Sequence, residues 1–225
     1  MSEKSFNIDW DSIDYVFTDM DGTILDLDFD NFFWLEVVPE KYAEKHDLTV
    51  SQSKSMLFPE FKSIQGSLEW YSIDYWSDKL DLDIYNIKWA YKDKIRYLFR
   101  AKEFLNVCRE MNKRTFLVTN AHPKTLEIKD FVTGIKSMVS RSVCSFDYQY
   151  PKENIEFWVN FNRDVDFDPC RTIFIDDNEK VLKSAKDFGI KNLLAIQLPD
   201  SSKDSQRIVD FNAVDGVCEI LDKYI

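Results

Sequence analysis

Three short apolar runs each break off in a polar cluster, and this repetition constrains the fold more than any other feature of the chain. Tyr15-Val16-Phe17-Thr18 runs into Asp19-Met20-Asp21-Gly22-Thr23, Thr115-Phe116-Leu117-Val118 into Thr119-Asn120, and Thr172-Ile173-Phe174-Ile175 into Asp176-Asp177. Continuous β-prone runs of this kind predict strands buried on both faces. Residues 192–198, through Leu193-Leu194-Ala195-Ile196, make a fourth candidate strand and Ser137-Met138-Val139 a weaker fifth. Between the runs, Phe104, Leu105, Cys108 and Met111 follow helical spacing, as do Val181, Leu182, Ala185 and Phe188, with Gly189 placed to cap the second helix. The alternation predicts an α/β fold with a parallel sheet covered on both faces. In such sheets ligands bind beyond the carboxyl ends of the strands, where Asp19, Thr119 and Asp176 fall.

Residues 27–100 break the alternation. They carry helical spacing and many aromatics, among them Phe32, Phe33, Trp34, Trp70, Tyr71, Tyr75, Trp76 and Trp89, but no clear buried strand. A helical insert over 27–100, set into a core of residues 1–26 and 101–225, fits a chain of 225 residues. Thr49-Val50-Ser51-Gln52 has the form of a capping box and predicts a helix start. The aspartate-rich stretch 163–168, closed by Pro169, reads as a loop.

Charge and composition exclude several functions. Lys and Arg total 29 against 40 Asp and Glu, a net charge of −11 that repels nucleic-acid backbones and anionic membranes. A small anionic substrate then requires a metal ion or local lysines to invert the field. The first dozen residues hold no apolar core of a leader, and no later run approaches the roughly 18 apolar residues of a membrane span, so a cytoplasmic protein is expected. Cys108, Cys144, Cys170 and Cys218 stand singly beside only two histidines, which excludes structural zinc and predicts buried, reduced thiols. The five glycines form neither a P-loop nor a dinucleotide-binding fingerprint.

Asp19 and Asp21 stand two residues apart, and Gly22 permits the tight turn that brings both to one reactant. One carboxylate can attack phosphorus while the other protonates the leaving oxygen. Phosphoryl transfer also needs positive charge at the equatorial oxygens. Asp19, Asp176 and Asp177 form a hard oxygen cluster suited to Mg2+, Lys152 in Tyr150-Pro151-Lys152-Glu153 supplies a fixed cation, and Thr119 a hydroxyl donor. Asp177 has the alternative of capping the helical pattern that begins at Glu179.

In this order and strand context, these residues resemble the four motifs of the haloacid dehalogenase-like (HAD) phosphatase superfamily. The resemblance implies a Rossmann-like core with a helical cap inserted between the first and second motifs. It makes Asp19 nucleophile and metal ligand, with an aspartyl phosphate hydrolysed by water, and Asp21 general acid and then base. The Met20 and Asp21 backbone carbonyls, Asp176 and Asp177 complete the Mg2+ site, Thr119 and Asn120 bind phosphate, and Lys152 neutralises nucleophile and phosphate.

A closer likeness lies in the runs 19–34, 70–77, 119–123, 150–153 and 174–177, which look like the bacterial GMP/IMP 5′-nucleotidase branch and imply purine nucleoside 5′-monophosphates as substrates. In that branch a glycine usually precedes the aromatic-Pro-Lys string and a histidine lies a few residues earlier. Here Gln149 and Phe146 hold those places, which bears on the loop beside Lys152. Asn31, Trp70 and His122 are candidates for substrate contact, against roles as helix cap, core aromatic and polar loop residue; His46 reads as structural. A sugar-phosphate phosphatase or phosphomutase would use the same motifs, whereas a dehalogenase would not need Asp21 as an acid. A non-catalytic binding protein would be expected to lack a motif residue. The expected assembly is a monomer or homodimer.

Overall fold

The computed structural model describes residues 8–224; residues 1–7, which open the stretch read above for a leader and the first core segment, lie outside it, as does residue 225. One parallel sheet runs in the order β3-β2-β1-β4-β5-β6. Its strands are β1 (Tyr15–Thr18), β2 (Arg114–Thr119), β3 (Arg141–Cys144), β4 (Thr172–Asp176), β5 (Asn192–Ile196) and β6 (Ala213–Val214). Strand β1 lies where the order reverses, pairing Thr18 with Leu117 on one side and Ile175 on the other. Asp19, Thr119 and Asp176 therefore leave three neighbouring strands side by side, at the crevice such a reversal opens.

Successive residues of each strand point to opposite faces, and the two faces are chemically distinct. Val16, Leu117, Ile173 and Ile175 join an aliphatic layer with Leu105 and Ile128. Phe17, Phe116 and Phe174 join an aromatic layer with Phe157, Trp158, Phe161 and Phe167. Phe17 makes ring contacts at 4.8 Å with Phe167, 5.2 Å with Phe161 and 5.4 Å with Phe116.

Between β1 and β2 the chain carries helices α1 (Asp28–Phe32), α2 (Val38–Lys45), α3 (Val50–Ser63), α4 (Leu68–Tyr71), α5 (Ile73–Leu80) and α6 (Ile84–Ala90), with a π-helical stretch at Phe33–Val37. Their own core is Phe33, Val37, Leu57, Phe61, Ile73, Trp76 and Ile84. The capping box stands as the sequence predicts, with Thr49 and Gln52 exchanging hydrogen bonds. The remaining helices are α7 (Ala101–Glu110), α8 (Pro123–Thr133), α9 (Ile155–Val165), α10 (Glu179–Phe188) and α11 (Val217–Tyr224).

Three expectations need correction, and one short strand went unread. Ile135–Met138 is a 3-10 turn, and the strand forms three residues later at β3, where Val143 and Cys144 reach the core. Arg163 and Asp164 belong to the last turn of α9, so the loop before β4 is shorter than its composition suggests. Strand β6, two residues long, is too short to leave a periodic signal. Of the four thiols only Cys108 and Cys144 are buried; Cys170 is exposed and Cys218 half-buried.

Gln149 takes the left-handed conformation, with φ of 61°. Glycine would adopt it freely, whereas an L side chain pays about 1 kcal/mol. A hydrogen bond from Gln149 Nε2 to the Phe146 carbonyl, 2.6 Å, offsets part of that strain.

Phe17→Ala is expected to cost about 3–5 kcal/mol, because it empties the centre of the aromatic layer. Urea denaturation should show a lower midpoint at unchanged slope.

Candidate active site

The turn after β1 builds the first half of the site. The Asp19 amide donates to the Ile175 carbonyl at 2.9 Å, continuing the sheet, and the chain then reverses. The Met20 carbonyl accepts from the amides of Ile24 (3.0 Å) and Leu25 (2.7 Å). Gly22 is demanded twice: its φ is +83°, and a Cβ there would lie 2.8 Å from Asp177 Cγ and from Pro199 Cβ. The absent side chain lets Asp177 lie against the turn.

Asp19, Asp176 and Asp177 each offer a carboxylate oxygen within 4.8 Å of the others. Lys152, 2% exposed, sits among them, its ammonium donating to Asp19 Oδ1 at 2.5 Å, Asp176 Oδ2 at 2.7 Å and the Val118 carbonyl at 3.0 Å. Burial pushes all three carboxyls upward, Asp19 to about 6, while its pair with Lys152 pulls the other way. The Lys152 ammonium is held above its ordinary value by Asp176 and Asp19 against its own desolvation. One lysine cannot neutralise three crowded carboxylates, so the donor set has the hard oxygens and the excess negative charge that suit a divalent cation. Met20 is a correction here, since both hydrogen bonds its carbonyl accepts belong to the turn. Among the described residues no hydrogen bond reaches the Asp21 carbonyl, so that backbone oxygen keeps its acceptor capacity.

Thr119, 1% exposed, accepts from the Ala121 amide at 3.0 Å and keeps its own hydroxyl hydrogen uncommitted among the described residues. The Asn120 side chain does not match its expected role, because both its ends brace the lysine loop. Its Oδ1 accepts from the Lys152 amide and its Nδ2 donates to Glu153 Oε2, each at 2.9 Å. Glu153 Oε1 in turn accepts from the Tyr71 hydroxyl at 2.7 Å, tying the helical insert to this loop. Asp177 is not the cap of α10; Asn178 is, accepting from the Lys180 amide.

Asp21 has its own cation. Lys129 of α8, 1% exposed, bridges Asp21 Oδ1 and Asp30 Oδ2, both at 2.5 Å, and Lys88 of α6 reaches the other oxygen of Asp30 at 2.7 Å. Burial, together with repulsion from Asp30 and Asp19, raises the Asp21 carboxyl to about 6 although Lys129 opposes the shift. Neither lysine emerged from the sequence. Lys129 follows Leu126 by three residues on the buried face of α8, and a lysine at a core-facing helical position is the one signal it leaves.

A cavity of about 480 Å³ opens above these groups, lined by Asp19, Asp21, Thr119, Lys152, Asp176 and Asp177 below and by Asn31, Trp34, Phe61, Trp70, Tyr71 and Lys88 above. Asn31 and Trp70 thus reach it. Asn31 lies within α1 rather than capping it, and its Nδ2 donates to Asp200 Oδ2 at 2.6 Å. Trp70 stacks on Trp34 with ring centroids 6.4 Å apart. His122 is outside the lining. It caps α8 through Nδ1, lies 3.6 Å from Asp74 and packs edge-on against Phe146. His46 ends α2 and lies against Tyr42.

A strand-end carboxylate pair, a lysine loop and an acidic pair on the neighbouring strand define a class. The chain belongs to the haloacid dehalogenase-like hydrolases, whose family model matches residues 13–189. Within it, the chain is similar to the GMP/IMP nucleotidase YrfG of Escherichia coli (strain K12), at 35% identity over 195 residues covering 87% of this chain and 88% of that one. The GMP/IMP nucleotidase YrfG of Shigella flexneri matches to the same extent. The fold is similar to that of an HAD phosphatase from Thermococcus onnurineus, with a TM-score of 0.78 and 18% identity over 93% of this chain and 97% of that one.

Gly22→Ala is expected to lower phosphate release at least tenfold, because the added methyl must displace Asp177 or Pro199. Far-UV circular dichroism should remain that of the parent, separating displacement of the site from loss of the fold.

Proposed function

We propose that this protein is a Mg2+-dependent phosphomonoesterase that hydrolyses purine nucleoside 5′-monophosphates through an aspartyl-phosphate intermediate. The observation that carries the reading is Lys152 buried between Asp19 and Asp176 at the switch point of the sheet, with Asp21 across the turn on a separate cation. Two carboxylates so close in sequence are thereby held on different lysines, although burial raises both to about 6, and this separation of partners supports separate nucleophilic and acid–base roles. Similarity to the GMP/IMP nucleotidases over most of both chains supports the choice of substrate.

The chemistry follows from these positions. An Asp19 oxygen attacks phosphorus, the bond from phosphorus to the nucleoside 5′-oxygen breaks, and Asp21 delivers its proton to that oxygen. Water then attacks the aspartyl phosphate, Asp21 takes up the proton, and Asp19 and inorganic phosphate are released. Lys152 and the Thr119 hydroxyl bind the phosphoryl oxygens. Asp19, Asp176, Asp177 and the Asp21 carbonyl would hold Mg2+, which supplies positive charge to the phosphoryl group and to the crowded acids. We read residues 27–100 as a cap closing over the core, with Tyr71 and Asp30 as its contacts to the lysine loop and to Lys129, so that closure excludes bulk water from the phosphoenzyme.

Phosphate release with Mg2+ should be measured across GMP, IMP, AMP, pyrimidine monophosphates and sugar phosphates, beside Asp19→Asn and an EDTA control. Turnover of GMP and IMP, abolished in both controls, is expected; turnover of sugar phosphates alone would sink the substrate assignment and keep the mechanism. Asp21→Asn should lose about 10²- to 10⁴-fold.

The first step needs Asp21 protonated, so kcat/KM should decline as pH rises through the Asp21 value of about 6. That limb should vanish in Asp21→Asn. Mg2+ at about 100 times its dissociation constant should stabilise the fold by about 2.7 kcal/mol, an effect that thermal melting of Asp176→Asn should no longer show.

A further inference from the structure

Lys88 is a buried cation with too few partners. It is 1% exposed, and its ammonium donates to Asp30 Oδ1 at 2.7 Å. Among the described residues no second acceptor takes its two remaining N–H groups, whereas the ammonium of Lys129 meets two carboxylates. Asp30 is shared between the two lysines, and Lys88 is the member left short. Its surroundings are ring faces: Phe33 at 4.5 Å, Phe29 at 5.1 Å and Trp34 at 5.7 Å. Such faces attract a cation but accept no directed hydrogen bond of ordinary strength, so donor capacity stays open. The side chain lines the same cavity as Asp19, at the end formed by Trp34 and Trp70. It is separated from Asp21 by Lys129 and Asp30, and so lines the cavity at a distance from the carboxylates at the strand ends.

We propose that Lys88 is the specificity-determining residue for the leaving group, donating its open N–H groups to a ring carbonyl oxygen, the 6-oxo group that guanine and hypoxanthine share. The inference rests on the nucleotide reading above. A lysine ammonium donates only. The 6-oxo group satisfies it, whereas the 6-amino group of adenine sets donor against donor and leaves the ammonium buried without its partner. The neighbouring Trp34 and Trp70 supply flat apolar surface for the rest of the ring.

The test compares kcat/KM for IMP, for purine riboside 5′-monophosphate, which lacks the 6-oxo group and with it the N1 proton, for AMP and for phenyl phosphate, which has no base. In the unaltered protein IMP should exceed purine riboside 5′-monophosphate by about 10- to 100-fold, the range for a hydrogen bond to a charged donor. In Lys88→Met that ratio should collapse to about one, and Lys88→Arg should restore part of it. The ratio is internal to each variant, so a general loss of activity does not mimic the effect. Should Lys88→Met fail to fold, Lys88→Arg carries the test: its ratio should fall below that of the unaltered protein, and an unchanged ratio would overturn the role of Lys88. IMP and its 6-unsubstituted analogue turned over equally would overturn the role of Lys88 and leave the nucleotidase reading standing. A high ratio that persists in a folded Lys88→Met would do the same. Hydrolysis of phenyl phosphate with no nucleotide turned over would overturn both.

Discussion

Carboxylates brought together out of water must be compensated, and the rest of this molecule is arranged around that constraint. The parallel sheet places Asp19 and Asp176 on adjacent strand ends, where both are buried. Their mutual repulsion and loss of hydration would disfavour the fold if Lys152 did not stand between them. Holding that lysine takes much of its neighbourhood. Asn120 grips its backbone amide, the Trp158 indole donates to its carbonyl at 2.9 Å, and the Val118 carbonyl takes the third proton of its ammonium. The aromatic layer beneath the sheet anchors α9 and so fixes the loop from which Lys152 projects.

A second charged group faces the first across the crevice. Asp21, Lys129, Asp30 and Lys88 form a buried chain of alternating sign that starts at the turn after β1, crosses α8 and ends in the helical insert. The chain carries a net charge of −11, and the cavity follows it: Lys88 and Lys152 are set among Asp19, Asp21, Asp30, Asp176 and Asp177, so lysines alone do not reverse the local field. An anionic phosphoester therefore meets fixed, desolvated lysines only in company with a divalent cation that offsets the crowded acids. The insert contributes both a charge and an aromatic wall, which places Asp21 and the upper lining of the cavity under one set of contacts.

The core of this arrangement was legible in the sequence because it is local. Continuous apolar runs ending in polar clusters gave β1, β2, β4 and β5 and the positions of Asp19, Thr119 and Asp176, and the Asp-x-Asp-Gly spacing foretold a turn that only glycine fits. Lys152 was found through its motif. Asn120 lines the cavity as expected, but its side chain is engaged in bracing a loop 32 residues away in sequence, which no local pattern signals. His122, a candidate for substrate contact, is outside the cavity lining and serves as a helix cap packed edge-on against an aromatic, whereas Asn31 does reach the cavity while bonded to the distant Asp200.

What the sequence by itself determined is the part governed by short-range periodicity and strand-end chemistry: an α/β core, a helical insert and the acids that face the crevice. Only the tertiary structure decided which cation serves which carboxylate. Lys129 meets Asp21 across 108 residues and Lys88 meets Asp30 across 58. No local pattern encodes such pairs. They arise because α6 and α8 are packed against one another by their apolar faces, and a lysine enclosed by that packing must find whatever carboxylate the fold has left within reach.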